Sequence, residues 1–335
     1  MRATLYDKRG AQLQAIRNVL SCGIPGAVVD RAIAENEWFT RESIDYALRA
    51  IVEQILCDAA LKRWLTSYPD VGTGLDTAVI MAGNIPMAGF FDLLCAAVAG
   101  CRFSVKYSSK DRALMEWVAA VVAEHTGAVV SPLSEGAVAD ALIASGSDNA
   151  AFHIRSHFEG VPMLLRSHRS SVAVIDERVS RRELSLLWRD IFTYFTLGCR
   201  NVTHIYLPSG YSPEALAEGL AADNPPIAHR PWLSGYIQRR ALMIMNSEPF
   251  TDGGYFMLSP KERPESLCEI TYSFYGSADE VAEELDRRDD IQCVVGHGYT
   301  PFGMAQRPAP WDYPDGRDII EFLFKTAERG GSTIR

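Results

Sequence analysis

Cys199 lies in the run Tyr194-Phe195-Thr196-Leu197-Gly198-Cys199-Arg200-Asn201-Val202. A thiol in a connecting loop can be reached by a substrate, and as thiolate it can attack a carbonyl to form a covalent thioester. Three further loops hold groups that such chemistry could use. In Gly83-Asn84-Ile85-Pro86 the asparagine carries a side-chain N–H that could hold an oxyanion. In Lys106-Tyr107-Ser108-Ser109-Lys110 a lysine at a strand end could meet a cofactor ribose or phosphate. In Ser145-Gly146-Ser147 a glycine turn opens a helix whose first amides could face a pyrophosphate. Each has a plain rival. Asparagine before Ile-Pro suits a turn, a strand-end lysine suits solvent, and Gly146 suits the start of any helix.

The remaining reactive residues read differently. Cys95, Cys101, Cys268 and Cys293 stand in or beside apolar runs and read as core, with Cys22 and Cys57 similar. His153 and His157 share a helix face, but no acid or third ligand lies near in sequence, so no metal is expected. His168 could be an acid–base group, a phosphate contact or an ordinary histidine. His297, between Gly296 and Gly298, could line a cleft at a strand end or simply pack. Arg166 and Arg169 read as solvated, with carrier phosphates as the alternative.

These loops must be positioned by elements that the hydrophobic pattern marks out. Residues 1 to about 70 read as helical. Asp76–Ala82, Phe103–Lys106 and Asp140–Ala144 read as buried strands, alternating with helices over Asp92–Ala99, Lys110–Glu124 and up to about His157. A second unit opens near Val172. Ser180 with Glu183 forms a capping box, and the stripe Leu184, Leu187, Trp188, Ile191, Phe195 leads to Cys199. A strand over Val202–Leu207, a helix after Ser212-Pro213, a second capping box at Ser277 and Glu280, and a final buried strand over Ile291–Val295 follow. Thr300 to Pro314 reads as an ordered loop. The alternation predicts an α/β fold with parallel sheets, whose ligands bind at the carboxyl ends of the strands.

Composition narrows the function classes. The chain has 335 residues and a net charge of −9, which argues against nucleic acid. No apolar run approaches the ~20 residues of a membrane span, and Met1 to Lys8 lacks a signal-peptide core. Seven cysteines with no Cys-x-x-Cys pair fit a reducing cytosol, so a cytoplasmic protein is expected.

The order of the four loops changes their weight. Asn-x-Pro, strand-end Lys, Gly-Ser and Gly-Cys before a strand resemble the aldehyde dehydrogenase superfamily. Within it the chain is similar to the acyl-CoA reductase family, the fatty-acid reductases that include the reductase of bacterial bioluminescence. The resemblance rests on Met81-Ala82-Gly83-Asn84-Ile85-Pro86, Val105–Asp111, Ala144-Ser145-Gly146-Ser147, Leu197–Val202 and Gln292-Cys293-Val294-Val295-Gly296. It covers about residues 75 to 325. It implies N-terminal helices and a nicotinamide-binding α/β domain over 1–165, a catalytic α/β domain over 166–300, and a C-terminal segment, 301–335, returning to the cofactor domain. Cys199 matches the nucleophile, and Asn84 the oxyanion asparagine, joined by the Cys199 amide. Lys106 matches the ribose-contacting lysine, and Gly146 and Ser147 the turn beneath the pyrophosphate.

Two departures shape the expected activity. The stretch Leu164–Ser171 has no acid where aldehyde-oxidising members carry a water-activating glutamate. Hydrolysis of the acyl-enzyme should then be slow, which suits exchange with a thiol. Ser109, flanked by Lys110, stands where NAD users often have glutamate, which suits the 2′-phosphate of NADPH. The expectation is NADPH-dependent reduction of an acyl-CoA or acyl-carrier protein, in fatty acid metabolism, to the aldehyde. The alternatives are an NAD(P)-dependent aldehyde or semialdehyde dehydrogenase and a non-catalytic acyl-binding subunit. The resemblance also admits a homo-oligomer or an acyl-transferring partner enzyme.

Overall fold

The computed structural model describes residues 3–134, 136–146, 148–166, 169–221 and 227–331. Two compact units divide the chain: residues 1–168 with 307–335, and residues 169–306. The first opens with α1 (Leu5–Ser21), α2 (Gly26–Glu35), α3 (Arg41–Ala50), a π-helical turn over 51–55, and α4 (Asp58–Leu65). Thr4 and Asp7 close a capping box at the start of α1, and Thr40 with Ser43 does so for α3. The helical reading of the first 70 residues thus resolves into four helices.

Alternation of strand and helix follows: β1 (Asp76–Ile80), α5 (Phe90–Val98), β2 (Arg102–Lys106), α6 (Arg112–Thr126), β3 (Val130–Pro132), β4 (Ala141–Ser145), α7 (Asp148–His157) and β5 (Met163–Arg166). The sheet order is β3-β2-β1-β4-β5, parallel throughout. Thr77, Ala78 and Val79 of β1 are buried, as a central strand covered on both faces must be. Every described residue of α5 except Phe91 is buried, so its sequence is apolar nearly all round.

The second unit holds β6 (Ser170–Val174), α8 (Arg181–Phe192), β7 (Val202–Pro208), α9 (Pro213–Ala221), α10 (Arg230–Met245), β8 (Thr251–Asp252), β9 (Met257–Ser259), β10 (Glu269–Tyr275), α11 (Ala278–Arg287) and β11 (Ile291–Gly296). Its sheet runs β11-β6-β7-β10-β9-β8, parallel except for β8 against β9. The Ser180–Glu183 capping box forms as expected. At α11 the Ser277 side chain caps Glu280, but the Glu280 carboxylate accepts the N–H of Gly276, so the second box does not close. β11 is an edge strand and only partly buried, where a buried strand was expected.

The chain returns to the first unit through an ordered loop and α12 (Ile319–Gly331). Tyr313 fixes this return. Its hydroxyl receives the indole N–H of Trp64 at 2.5 Å and bonds the Tyr68 hydroxyl, which also donates to Asp318. Phe302 and Tyr313 are buried, and Trp311 lies half-exposed under the Arg63 guanidinium. Tyr313→Phe strands the Trp64 N–H in a buried site. The expected loss is about 1–3 kcal/mol, read as a lower urea midpoint by circular dichroism. An unchanged midpoint would show that the phenol does not tie the segment down.

Candidate active site

At the carboxyl edge of the first sheet, β1, β2 and β4 lie side by side. Ile80 is in register with Lys106 on one flank and Ala144 on the other. The chain leaves β1 towards β2 in one direction and reaches β4 in the other, so β1/β4 is a topological switch point, where such sheets bind ligands. Asn84, four residues beyond β1, is exposed in the loop there, and Lys106 ends β2 with its side chain exposed. Ser109 and Lys110 form the exposed tip of a turn in which Ser108 Oγ accepts the Lys110 N–H. Gly146 follows β4, its N–H directed to the Arg166 carbonyl at 3.4 Å. Ser147 and His168 lie outside the described residues.

The β1 and β2 loops are pressed together at Gly83. A Cβ there would stand 2.4 Å from Ser108 Oγ and 3.1 Å from the Asp111 Cβ, so only glycine lets them meet. Asp111 is buried beneath, its carboxyl pushed well above the usual range by desolvation and drawn back by the Met87 and Ala88 amides.

Arg166 differs from its expected place in solvent. It ends β5 buried, with Nη1 2.7 and 2.8 Å from the Asp92 oxygens and 3.2 Å from Ser145 Oγ. The guanidinium therefore spans from β5 past the end of β4 to the first turn of α5. Arg169 Nη1 donates to the Ile291 carbonyl.

In the second unit Cys199 is exposed in the turn between α8 and β7, at the amino edge of that sheet. The turn is tightly held. Asn201 is fully buried; its Oδ1 accepts the Gly198 N–H at 2.8 Å, and its Nδ2 donates to the carbonyls of Asp190 and Ile191. Ser171 Oγ donates to the Cys199 carbonyl at 2.8 Å, and Arg200 Nε to the Ala305 carbonyl at 2.5 Å. Just upstream, Phe195 and Thr196 take φ of 53° and 57°. Left-handed backbone is costly for such residues and persists where the surroundings hold it. Here the Thr196 hydroxyl bonds the Leu267 carbonyl, and the Phe195 ring stacks on His229 at 4.4 Å.

Among the other cysteines, Cys95, Cys101, Cys268 and Cys293 are buried as expected. Cys22 is exposed at the end of α1 and Cys57 half-buried, so the core reading fails for Cys22. His297 directly follows β11 at the carboxyl edge, with Nδ1 3.0 Å from Asp176 and Nε2 2.9 Å from Glu183. The Glu183 and Asp176 carboxylates raise its pKa. Glu183 lies in the first turn of α8 and Cys199 follows its far end, about 14 Å of helix away, so the His297 contacts lie away from the thiol.

No protein-family model and no curated protein matches the chain. Solved structures do. An acetylating aldehyde dehydrogenase from Geobacillus thermoglucosidasius aligns at TM-score 0.60 with 11% identity, over 89% of this chain and 82% of that one. The fold is that of the aldehyde dehydrogenases. An aldehyde dehydrogenase of Physcomitrella patens in complex with succinate shares it at TM-score 0.57 and 12% identity, over 97% and 89% of the two chains. So does a Mycobacterium tuberculosis aldehyde dehydrogenase complexed with NAD+, at 0.54 and 14%, over 82% and 70%. No helix among the described residues is long and apolar enough to cross a membrane.

The sequence reading missed what holds the Cys199 turn: Ser171, Asp190 and Asn201. Asp190 had a legible signal. It falls three residues after Leu187, on the apolar stripe of α8, where an acid must find partners.

Proposed function

We propose that the protein reduces an acyl thioester to the aldehyde with NADPH, through an acyl-enzyme on Cys199. The observation that carries this reading is an exposed thiol in a turn fixed by three hydrogen bonds, one of them fully buried. As thiolate, Cys199 Sγ bonds the thioester carbonyl carbon, while Asn84 donates its side-chain N–H to the oxyanion. The C–S bond to the carrier breaks, and the carrier leaves as a thiolate that takes its proton from water. The acyl group is brought to the aldehyde level by a hydride, which a nicotinamide nucleotide would supply when bound. The Cys199 C–S bond then breaks and restores the thiolate. The missing acid between Leu164 and Ser171 supports transfer to and from thiols over hydrolysis, against the rival reading of aldehyde oxidation to the free acid.

The residues at the first unit's carboxyl edge suit a phosphorylated nucleotide. Gly83 keeps the two loops close, Gly146 leads into α7, and Lys106 and Lys110 are exposed beside Ser109. Lys106 and Lys110 would hold the adenosine ribose and its 2′-phosphate, and Gly146 with Ser147 the pyrophosphate. A lysine–phosphate contact contributes about 1.5–3 kcal/mol, so Lys110→Glu should weaken NADPH roughly ten- to a hundredfold against NADH. Fluorescence titration with both nucleotides checks this, and an unchanged preference removes Lys110 from the 2′ site. The reading as a whole is tested by NADPH oxidation against a panel of acyl-CoAs and acyl-carrier proteins. Absence of oxidation with every thioester would overturn it.

A further inference from the structure

Asp190 is completely buried on α8, and nothing in the proposed chemistry uses it. A buried carboxylate must be met by donors or neutralised. Both oxygens are met by one loop: Oδ2 accepts the Gly303 N–H at 2.6 Å, and Oδ1 the Ala305 N–H at 2.8 Å. Burial pushes its pKa up to about 7, with the two amides and then Arg200 and Arg189 pulling the other way.

The same residue is also held from its backbone. Its carbonyl accepts Nε2 of Gln306 at 3.2 Å and Nδ2 of Asn201 at 3.3 Å. Asn201 in turn holds Gly198, and the Ala305 carbonyl holds Arg200. Both neighbours of Cys199 are therefore tied, each through one intermediate residue, to Asp190. Gly303 adopts φ 83°, and a Cβ there would stand 3.2 Å from the Leu186 Cβ, so the loop lies hard against α8.

We propose that Asp190 is a positioning residue: through the amides of Gly303 and Ala305 it docks the 303–306 loop on α8 and so sets the position of the Cys199 turn. This rests on Cys199 being the nucleophile. An asparagine at 190 keeps the size but offers one acceptor oxygen to two N–H groups. Ala305→Pro deletes one donor from the loop side and leaves the helix core intact.

Two measurements test the proposal in both variants. Amide exchange should rise together in peptides covering 297–306 and 196–201, while peptides of β7 and β10 stay as in the wild type. Acylation of Cys199 by an acyl-CoA, followed by mass spectrometry, should slow ten- to a hundredfold, with NADPH affinity unchanged, as a misplaced nucleophile predicts. Wild-type acylation in Asp190→Asn and Ala305→Pro, or exchange that rises in 297–306 alone, would overturn it. If the wild type itself is not acylated, the functional reading fails instead, and coupled exchange still decides whether Asp190 holds the turn. A variant whose peptides all exchange fast has lost the fold, and the other then decides.

Discussion

Cys199→Ala should lower NADPH-dependent reduction of acyl thioesters by on the order of 10⁴-fold or more. Removing a nucleophile leaves only binding and the oxyanion donor, which together give a small residue of the catalysis. The substitution is small and the side chain exposed, so stability should stay near the wild type. Cys22 provides an internal control, being the other thiol exposed to solvent. Iodoacetamide should label both Cys22 and Cys199. An acyl-CoA should label Cys199 alone, because Cys22 sits at a helix end with its S–H directed to the Asn18 carbonyl. Turnover retained in Cys199→Ala, or acyl transfer to Cys22 with Cys199 unmodified, would sink the mechanism.

The parts of the fold that sequence revealed are those whose pattern repeats locally. Buried strands such as Asp76–Ile80 stand out as short apolar runs, and α8 as a stripe with a capping box. What escaped depends on partners far along the chain. The pattern assigns no strand at β5 and Arg166 reads as solvated, yet its charge is met by Asp92, 74 residues earlier. β10 starts at Glu269, an unlikely buried strand residue until Arg239 and Ser259 are seen to bond it. α10 shows no clear periodicity, since Ile237, Ile244 and Met245 are exposed while Arg239 is buried. The same holds at the site. The Gly-Cys-Arg-Asn run marks the turn, but the roles of Asn201 and Arg200 become visible only with the carbonyls of Asp190 and Ala305 in place.

Asn84→Ala should lower kcat by about 10²–10³-fold, the usual cost of losing one oxyanion donor, some 2.7–4 kcal/mol. The side chain is exposed on its loop, so little packing is lost with it. Nucleotide affinity should stay near normal, because the exposed lysines of the β2 loop are untouched. The comparison that separates chemistry from loop geometry is Gly83→Ala. Its Cβ would press on Ser108 Oγ, 2.4 Å away, and one of the two loops must move. That variant should therefore lose turnover and NADPH affinity together, while Asn84→Ala loses turnover alone. Acylation of Cys199 measured without cofactor isolates the step, and it should slow in Asn84→Ala as much as kcat does. Wild-type acylation and turnover in Asn84→Ala would remove this side chain from the chemistry. The Gly83 loop would then matter only for holding the nucleotide.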